Sequence, residues 1–277
     1  MKVYISADIE GIGCVVRSEH SSPGGREYER ARRFMTAEVN SAALGAFAAG
    51  ATDVVVADSH NVGLNLIPEE LDERVRLIMG SPRPLAMMEG IDSGFDAVFL
   101  VGYHGCAGTA DAVIAHTFTG RMAEVRFNDL VIGEIGISAL LAGAHRVPVV
   151  FMSGDDAGCR EAEALLPGLA TVAVKQGIGA YAALCSHPRI CRQRIQKTAE
   201  AALRACSQSG FPAPLTLSGP ITVEMRFTTA SGVDRVLRMP RVERLDGNRI
   251  RYQAADVHEA FAAFNTMADL IELTTFI

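Results

Sequence analysis

KVYISADIEG, residues 2–11, is an apolar run that ends in two carboxylates, Asp8 and Glu10, followed at once by a glycine. Such a run predicts a buried β-strand that delivers acids to the edge of a sheet. In an open α/β sheet, ligands bind in the crevice outside the carboxyl ends of the strands. We therefore expect the two acids to contact a substrate or a metal ion rather than to be exposed to solvent on the surface.

The segments that follow supply the rest of a parallel sheet. Residues 26–49 carry charged and apolar residues at helical spacing and stop at a glycine, which predicts a long helix. Two further apolar strands end in polar residues: residues 53–57 run into Asp58-Ser59-His60, and residues 95–101 run into Gly102-Tyr103-His104. This order predicts an α/β fold, with a mostly parallel sheet, flanking helices and right-handed crossovers.

A β-hairpin is expected after the third strand. Apolar and polar residues alternate in this region, and the turn residues Asn128 and Asp129 lie between residues 125–127 and 130–132. We predict that this hairpin is appended to the parallel sheet. Glu134 then falls in the first turn of a helix, where a carboxylate is favourable even without a metal ion.

The remainder of the chain predicts a second domain. Residues 210–220 are rich in Gly, Pro and Ser, and the chain closes with an amphipathic helix from Asp256 to about Leu273. We place a boundary near residue 176. It separates an α/β metal-binding catalytic domain, residues 1–176, from a smaller α+β domain, residues 177–277.

Composition restricts the classes of function. The 277 residues carry a net charge of -6, with a sequence pI of about 5.7, which disfavours a protein that binds nucleic-acid backbones. The six cysteines form no CxxC pair, which fits a reducing cytosol. No signal peptide and no apolar run of membrane-spanning length are apparent, so we expect a cytoplasmic protein with no membrane partner.

Five residues are candidate metal ligands because four of them follow strand ends and the fifth opens a helix: Asp8, Glu10, His60, His104 and Glu134. Carboxylate oxygen and neutral imidazole nitrogen are ligands that suit Zn²⁺, and more carboxylates than one tetrahedral ion needs suggest two ions. Two such ions would activate water and polarise a carbonyl. The alternative is that each residue is a turn, capping or hydrogen-bonded side chain.

Three other features lie near the predicted site; the sequence leaves the role of the first open and favours simple explanations for the other two. His116 lies in a separate arm, where it could bind an oxyanion, move protons or merely pack across strands. Asp155 and Asp156 are expected to cap the next helix. Cys14 and Cys106 have no visible base beside them and are treated as small residues.

Several strings in order along the chain resemble the DppA-type D-aminopeptidases, which are dinuclear zinc peptidases of bacteria. The strings are Ser6-Ala7-Asp8-Ile9-Glu10-Gly11, Asp58-Ser59-His60, Gly102-Tyr103-His104, Ala115-His116-Thr117, and Asn128-Asp129 with Gly133-Glu134. The resemblance extends over essentially the whole chain. Any one string would be weak, but the ordered set is specific.

The resemblance implies a two-domain subunit with two zinc ions in the N-terminal domain. Asp8 would bridge the ions, Glu10 and His104 would bind one, and His60 and Glu134 the other. His116 matches the family's catalytic histidine, proposed there as a nucleophile, although proton or oxyanion work is physically simpler beside a metal-activated hydroxide. The family also implies a homo-oligomer, a ring-shaped homodecamer, that admits short peptides.

The sequence departs from the family pattern directly after His104, and the Gly13-Cys14 pair is also unusual. Gly105-Cys106-Ala107 follows His104 where the resemblance leads us to expect Ala-Arg-Ala, and this affects the expected substrate more than the reaction. We expect a zinc-dependent aminopeptidase that removes N-terminal residues, preferably D-residues, from short peptides such as D-alanyl peptides. The alternatives are a dinuclear metallohydrolase of another amide or ester, and a non-catalytic protein that binds a small ligand.

Overall fold

A computed structural model describes residues 1–272, which form twelve β-strands and seven α-helices. The strands, in chain order, are β1 Lys2–Ala7, β2 Asp53–Asp58, β3 Val75–Ile78, β4 Ala97–Tyr103, β5 Met122–Phe127, β6 Leu130–Val131, β7 Val149–Asp155, β8 Ala170–Gly179, β9 Ala182–Cys185, β10 Ile221–Phe227, β11 Glu243–Arg244 and β12 Arg249–Ala254. The helices are α1 Ser18–Ser21, α2 Tyr28–Ala48, α3 Glu134–Ala144, α4 Asp156–Leu165, α5 Pro188–Ser209, α6 Ala230–Val236 and α7 Val257–Glu272.

Seven strands form one sheet in the order β3-β2-β1-β4-β7-β8-β9. All neighbours in it run parallel except β8 and β9, which form an antiparallel pair at one edge. The predicted α/β fold with a mostly parallel sheet and flanking helices is confirmed. β1 lies near the middle, so its carboxyl end meets the ends of β2 and β4.

A second, antiparallel sheet has the order β11-β12-β10-β5-β6. The predicted hairpin is present as β5 and β6, but it belongs to this sheet and is not appended to the parallel one. The reason is that β5 pairs with β10, for example Phe127 with Val223, nearly a hundred residues away in the chain. The C-terminal part of the protein therefore builds its sheet on a hairpin from the N-terminal part.

The predicted boundary at residue 176 falls inside β8. The division into domains 1–176 and 177–277 stays a prediction. The final helix, predicted to end near Leu273, begins at Val257 and is helical to Glu272; Leu273 lies outside the described residues.

Two apolar clusters sandwich the parallel sheet because successive strand residues point to opposite faces. In β1, Val3 and Ile5 face the cluster that contains α2 and α5, whereas Tyr4 faces the cluster that contains α3, α7 and the second sheet. Within residues 1–272, no helix is both long and apolar enough to cross a membrane. The two apolar clusters cover both faces of the sheet, so the carboxyl ends of the central strands lie at an edge that the clusters do not cover.

Candidate metal centre

The ends of β1, β2 and β4 are held together by backbone hydrogen bonds. The N–H of Asp8 donates to the carbonyl of Val101 at 2.8 Å, and the N–H of Ser59 donates to the carbonyl of Ala7, also at 2.8 Å. His104, the first residue after β4, is buried. The three motifs that sequence analysis placed after strands therefore converge at one point.

Glycine is required where β1 leaves the sheet. A Cβ added at Gly11 would stand 1.9 Å from the carbonyl oxygen of Tyr103, and one at Gly102 would stand 2.1 Å from that of Asp8. Gly102 also has a φ of +76°, a conformation that side chains rarely adopt. The close approach of these two backbones brings Asp8 and Glu10 against the end of β4.

Asp58 organises the loop that carries His60. Its buried carboxylate accepts hydrogen bonds from the N–H groups of Asn65 and Leu66, and from the Asn65 amide at 2.7 Å. The same Asn65 amide donates to the carbonyl of His60 at 2.7 Å. Asp58 thus acts as a turn residue and not as a ligand.

Lys175 holds the segment that carries Glu10. Its fully buried ammonium donates to the carbonyls of Glu10, Ile12 and Val15. Sequence analysis did not select Lys175 as a site residue. The signal in the sequence is that Lys175 is a charged residue directly after the apolar run Val172-Ala173-Val174.

The candidate ligands are close to one another. His60 Nδ1 lies 2.8 Å from Glu10 Oε2 and 3.2 Å from Asp8 Oδ1. His104 Nε2 lies 3.4 Å from Asp8 Oδ2 and 3.6 Å from Glu134 Oε2. Asp8 is the one carboxylate that contacts both histidines.

Hydrogen bonds on the far side of each imidazole ring aim its other nitrogen at the carboxylates. His60 Nε2 is 2.8 Å from the carbonyl of Ser21, and His104 Nδ1 is 3.0 Å from that of Gly105. A carbonyl only accepts, so these nitrogens carry the proton. In the neutral rings, His60 Nδ1 and His104 Nε2 are then free to bind a metal ion.

The donor atoms fit a zinc ion. Asp8 Oδ2 and His104 Nε2 are both buried without a hydrogen-bond partner, although buried polar atoms normally have one. Their 3.4 Å separation is the distance expected between two atoms that each lie about 2.1 Å from one tetrahedral zinc ion. A cation between them would satisfy both.

Two sets of donor atoms, each within 4.8 Å of one another, occur in the described part of the chain. One contains Asp8, Glu10 and His104, and the other contains His104, His116 and Glu134. The first agrees with one zinc site implied by the resemblance. His60 contacts Asp8 and Glu10 in this structure, so the assignment of His60 and Glu134 to a common ion stays a prediction.

The electrostatics of the cluster favour a cation. Burial alone would lower the pKa of His104, but the negative charges of Glu134 and Asp8 raise that pKa to about 10. Burial opposes protonation of His60 in the same way, yet Glu10 and Asp8 raise its pKa well above the usual value. Burial and the charge of Glu10 raise the pKa of Asp8 to about 6. A divalent ion would take the place of these protons.

His116 lies beside the cluster with one nitrogen directed at it. Its ring stacks on that of His104, with centroids 4.4 Å apart. Nδ1 donates to the carbonyl of Ile114 at 2.8 Å, and Nε2 lies 3.7 Å from Glu134 Oε1. The N–H of Phe118 donates to that same Glu134 oxygen at 2.7 Å, which ties the His116 arm to α3.

The remaining residues named from the sequence have structural roles. Asp155 caps α4 by accepting the N–H of Gly158 at 2.8 Å, as predicted. The pKa of Cys106 is raised to about 11, mainly by burial and to a smaller extent by the charge of Glu161. This thiol is therefore a poor nucleophile at neutral pH.

The cluster opens into a cavity of about 1070 Å³, which is large enough for a short peptide. Asp8, Glu10, His60, His116 and Glu134 all line it. Arg83, on the segment between β3 and β4, lines it as well. Sequence analysis missed Arg83 because nothing but its flanking prolines distinguishes the segment.

Comparisons with known proteins agree with this geometry. A family model described as D-aminopeptidase matches residues 1–266. The D-aminopeptidase of Bacillus subtilis (strain 168) is 35% identical over 278 residues, covering 100% of both chains. The solved structure of the "Zn-dependent D-aminopeptidase DppA from Bacillus subtilis, a self-compartmentalizing protease" matches with a TM-score of 0.95 and 34% identity, again over 100% of each chain.

Proposed function

The chain belongs to the D-aminopeptidase family, and from that premise we propose that it is a zinc-dependent aminopeptidase that removes N-terminal D-residues from short peptides. D-Alanyl peptides are the substrates we propose first. The observation that carries the proposal is the buried, unpartnered pair of Asp8 Oδ2 and His104 Nε2, of which Asp8 lines the cavity. A metal ion held by this pair would lie beside the cavity that a peptide would enter.

We propose that five residues hold two zinc ions in each subunit: Asp8, Glu10, His60, His104 and Glu134. Asp8 would bridge the ions, since its carboxylate is the one that contacts both histidines. Glu10 and His104 would bind one ion, and His60 and Glu134 the other. When bound, zinc supplies Lewis acidity for the scissile carbonyl and lowers the pKa of a water molecule.

His116 would transfer protons. Because its Nδ1 carries the proton donated to Ile114, Nε2 of the neutral ring has a free lone pair towards the cavity. That atom would take a proton from the attacking water and return it to the departing nitrogen. The negative charge of Glu134, 3.7 Å away, would stabilise the protonated ring between the two steps.

The proposal extends to assembly and location. The relative described as self-compartmentalizing supports a homo-oligomer, for which we propose a homodecamer. Ile178, Tyr181 and Leu184 expose large apolar side chains around the β8–β9 hairpin, and Tyr181 also lines the cavity. We further propose a cytoplasmic location, since all six cysteines are free thiols. Light scattering on the eluting protein would measure the subunit number.

The experiment that tests the function compares matched D-alanyl and L-alanyl p-nitroanilides before and after chelation. We expect cleavage of the D-anilide, its loss on chelation and its return with added zinc. The His116→Asn variant should bind zinc normally but cleave slowly, because it cannot carry the proton. Cleavage that survives complete removal of metal would refute the proposal. Metal-dependent cleavage of other amides or esters, with neither anilide cleaved, would favour the alternative metallohydrolase.

A further inference from the structure

Arg83 is tied to the strand end that positions His60. Its Nη2 donates to the carbonyl of Asp58 at 2.7 Å, and Asp58 is the last residue of β2. His60 follows two residues later, a span of at most about 7 Å of chain. Arg83 lines the same cavity as His60 and the candidate metal centre.

Most donors of this guanidinium have no acceptor in the protein. Nε and Nη1, which together carry three N–H groups, are buried without a hydrogen-bond partner. Leaving buried donors unpaired is costly, and such groups call for an explanation. If Arg83 served only to bind the Asp58 carbonyl, these three N–H groups would stay unpaired.

Arg83 is also the one lysine or arginine that lines the cavity within residues 1–272. Six carboxylates line the same cavity: Asp8, Glu10, Asp111, Glu134, Asp269 and Glu272. Up to three of them would be neutralised by zinc at the metal centre, but the others repel anions. Away from the metal centre, Arg83 is therefore the one cation among the described lining residues that could bind the negative end of a ligand.

A short peptide is such a ligand, because it has an amine at one end and a carboxylate at the other. We propose, on the basis of the proposed function, that Arg83 binds the C-terminal carboxylate of the substrate and so selects di- and tripeptides with a free C-terminus. The guanidinium group matches a carboxylate in shape and charge and can bind it through two parallel hydrogen bonds.

The test compares D-alanyl-D-alanine with D-alanyl-D-alaninamide, which differ in the carboxylate alone. The wild-type protein should prefer the free acid. Arg83→Gln should lower kcat/KM for the acid by about 10- to 100-fold, chiefly through KM, and change the amide by less than about threefold. Arg83→Lys should recover part of the lost kcat/KM because it restores the charge without the planar fork.

A matched control removes a different arginine near the cavity. Arg121 is ion-paired with the rim residue Glu272 at 3.4 Å and does not line the cavity. Arg121→Gln should leave the ratio of acid to amide unchanged. D-Alanyl p-nitroanilide has no carboxylate, so its cleavage at the wild-type rate by Arg83→Gln would show that the variant is folded and the reaction intact.

Two results would overturn the inference while the proposed function stands. One is an equal loss for acid, amide and anilide in Arg83→Gln, which would make Arg83 a structural tie for the Asp58 carbonyl. The other is an unchanged preference for the acid in that variant. Failure of the wild-type protein to cleave D-alanyl-D-alanine, its amide and the anilide alike would instead reject the proposed function, and the carboxylate subsite with it.

Discussion

Replacing Gly11 by alanine should push the chain after β1 away from the end of β4 and so distort the metal centre. The N–H of Gly11 donates to the carbonyl of Gly102 at 2.7 Å, so the chain after β1 lies directly against the end of β4. An added Cβ would stand 1.9 Å from the Tyr103 oxygen and 2.4 Å from the carbonyl carbon of Gly102. Both are backbone atoms, so no side chain can rotate away to make room.

The size of the effect follows from these contacts. Real Cβ atoms essentially never approach other atoms closer than 3.0 Å, so the two segments must separate by about 1 Å. Overpacking of this kind costs about 1–3 kcal/mol, and the lost hydrogen bond to Gly102 adds about 1 kcal/mol. We therefore expect Gly11→Ala to lower the free energy of unfolding by about 2–4 kcal/mol. The shift also separates Glu10 from His104 and should weaken zinc binding.

Urea unfolding of the metal-free protein measures the first effect, and zinc content after dialysis measures the second. Gly247→Ala is the control, because a Cβ at Gly247 meets nothing within 4 Å and its φ is not positive. The control should match the wild type in both measurements. Wild-type stability and zinc content in Gly11→Ala would refute the claim that this backbone contact sets the distance between Glu10 and His104.

Two further predictions concern the segment that carries Glu10. Lys175→Met leaves three carbonyls without the buried ammonium and should cost about 3 kcal/mol in urea unfolding; an unchanged midpoint would show that Lys175 does not hold this segment. Burial raises the pKa of Glu38, which accepts the N–H of Gly13, to about 7. The folded protein therefore binds this proton more tightly than the unfolded chain, and stability relative to Glu38→Gln should fall by roughly 3 kcal/mol as pH rises from about 4.5 to about 7. A pH-independent difference between the two proteins would contradict the assignment.

The parallel sheet and the convergence of the polar residues could be predicted because both depend on local pattern. Apolar runs mark buried strands, and polar residues directly after them must meet at one edge. Asp8, His60 and His104 come together for this reason. Glu134 was predicted at the start of a helix, and the structure places it at the first residue of α3.

Features that depend on long-range pairing could not be predicted in this way. The hairpin of β5 and β6 has a clear local signal, but its sheet is decided by the distant strand β10. The carbonyls that Lys175 contacts are more than 150 residues away in the chain. Arg83 reaches the cavity from a proline-flanked segment without periodicity. The turn role of Asp58 depends on its hydrogen bonds to Asn65 and Leu66, seven and eight residues further along the chain.

The central claim is that the carboxylates and histidines at the strand ends hold two zinc ions per subunit. Calorimetric titration of zinc into the metal-free protein in two buffers of different ionisation enthalpy tests it most directly, since it counts both ions and protons. We predict two zinc ions per subunit with release of protons, because His60 and His104 are held protonated by the surrounding carboxylates. Asp8→Ala should abolish binding of both ions, whereas Asp269→Asn, a change of a cavity carboxylate outside the cluster, should retain both. Fewer than two ions in the wild type, or two ions still bound by Asp8→Ala, would contradict the account.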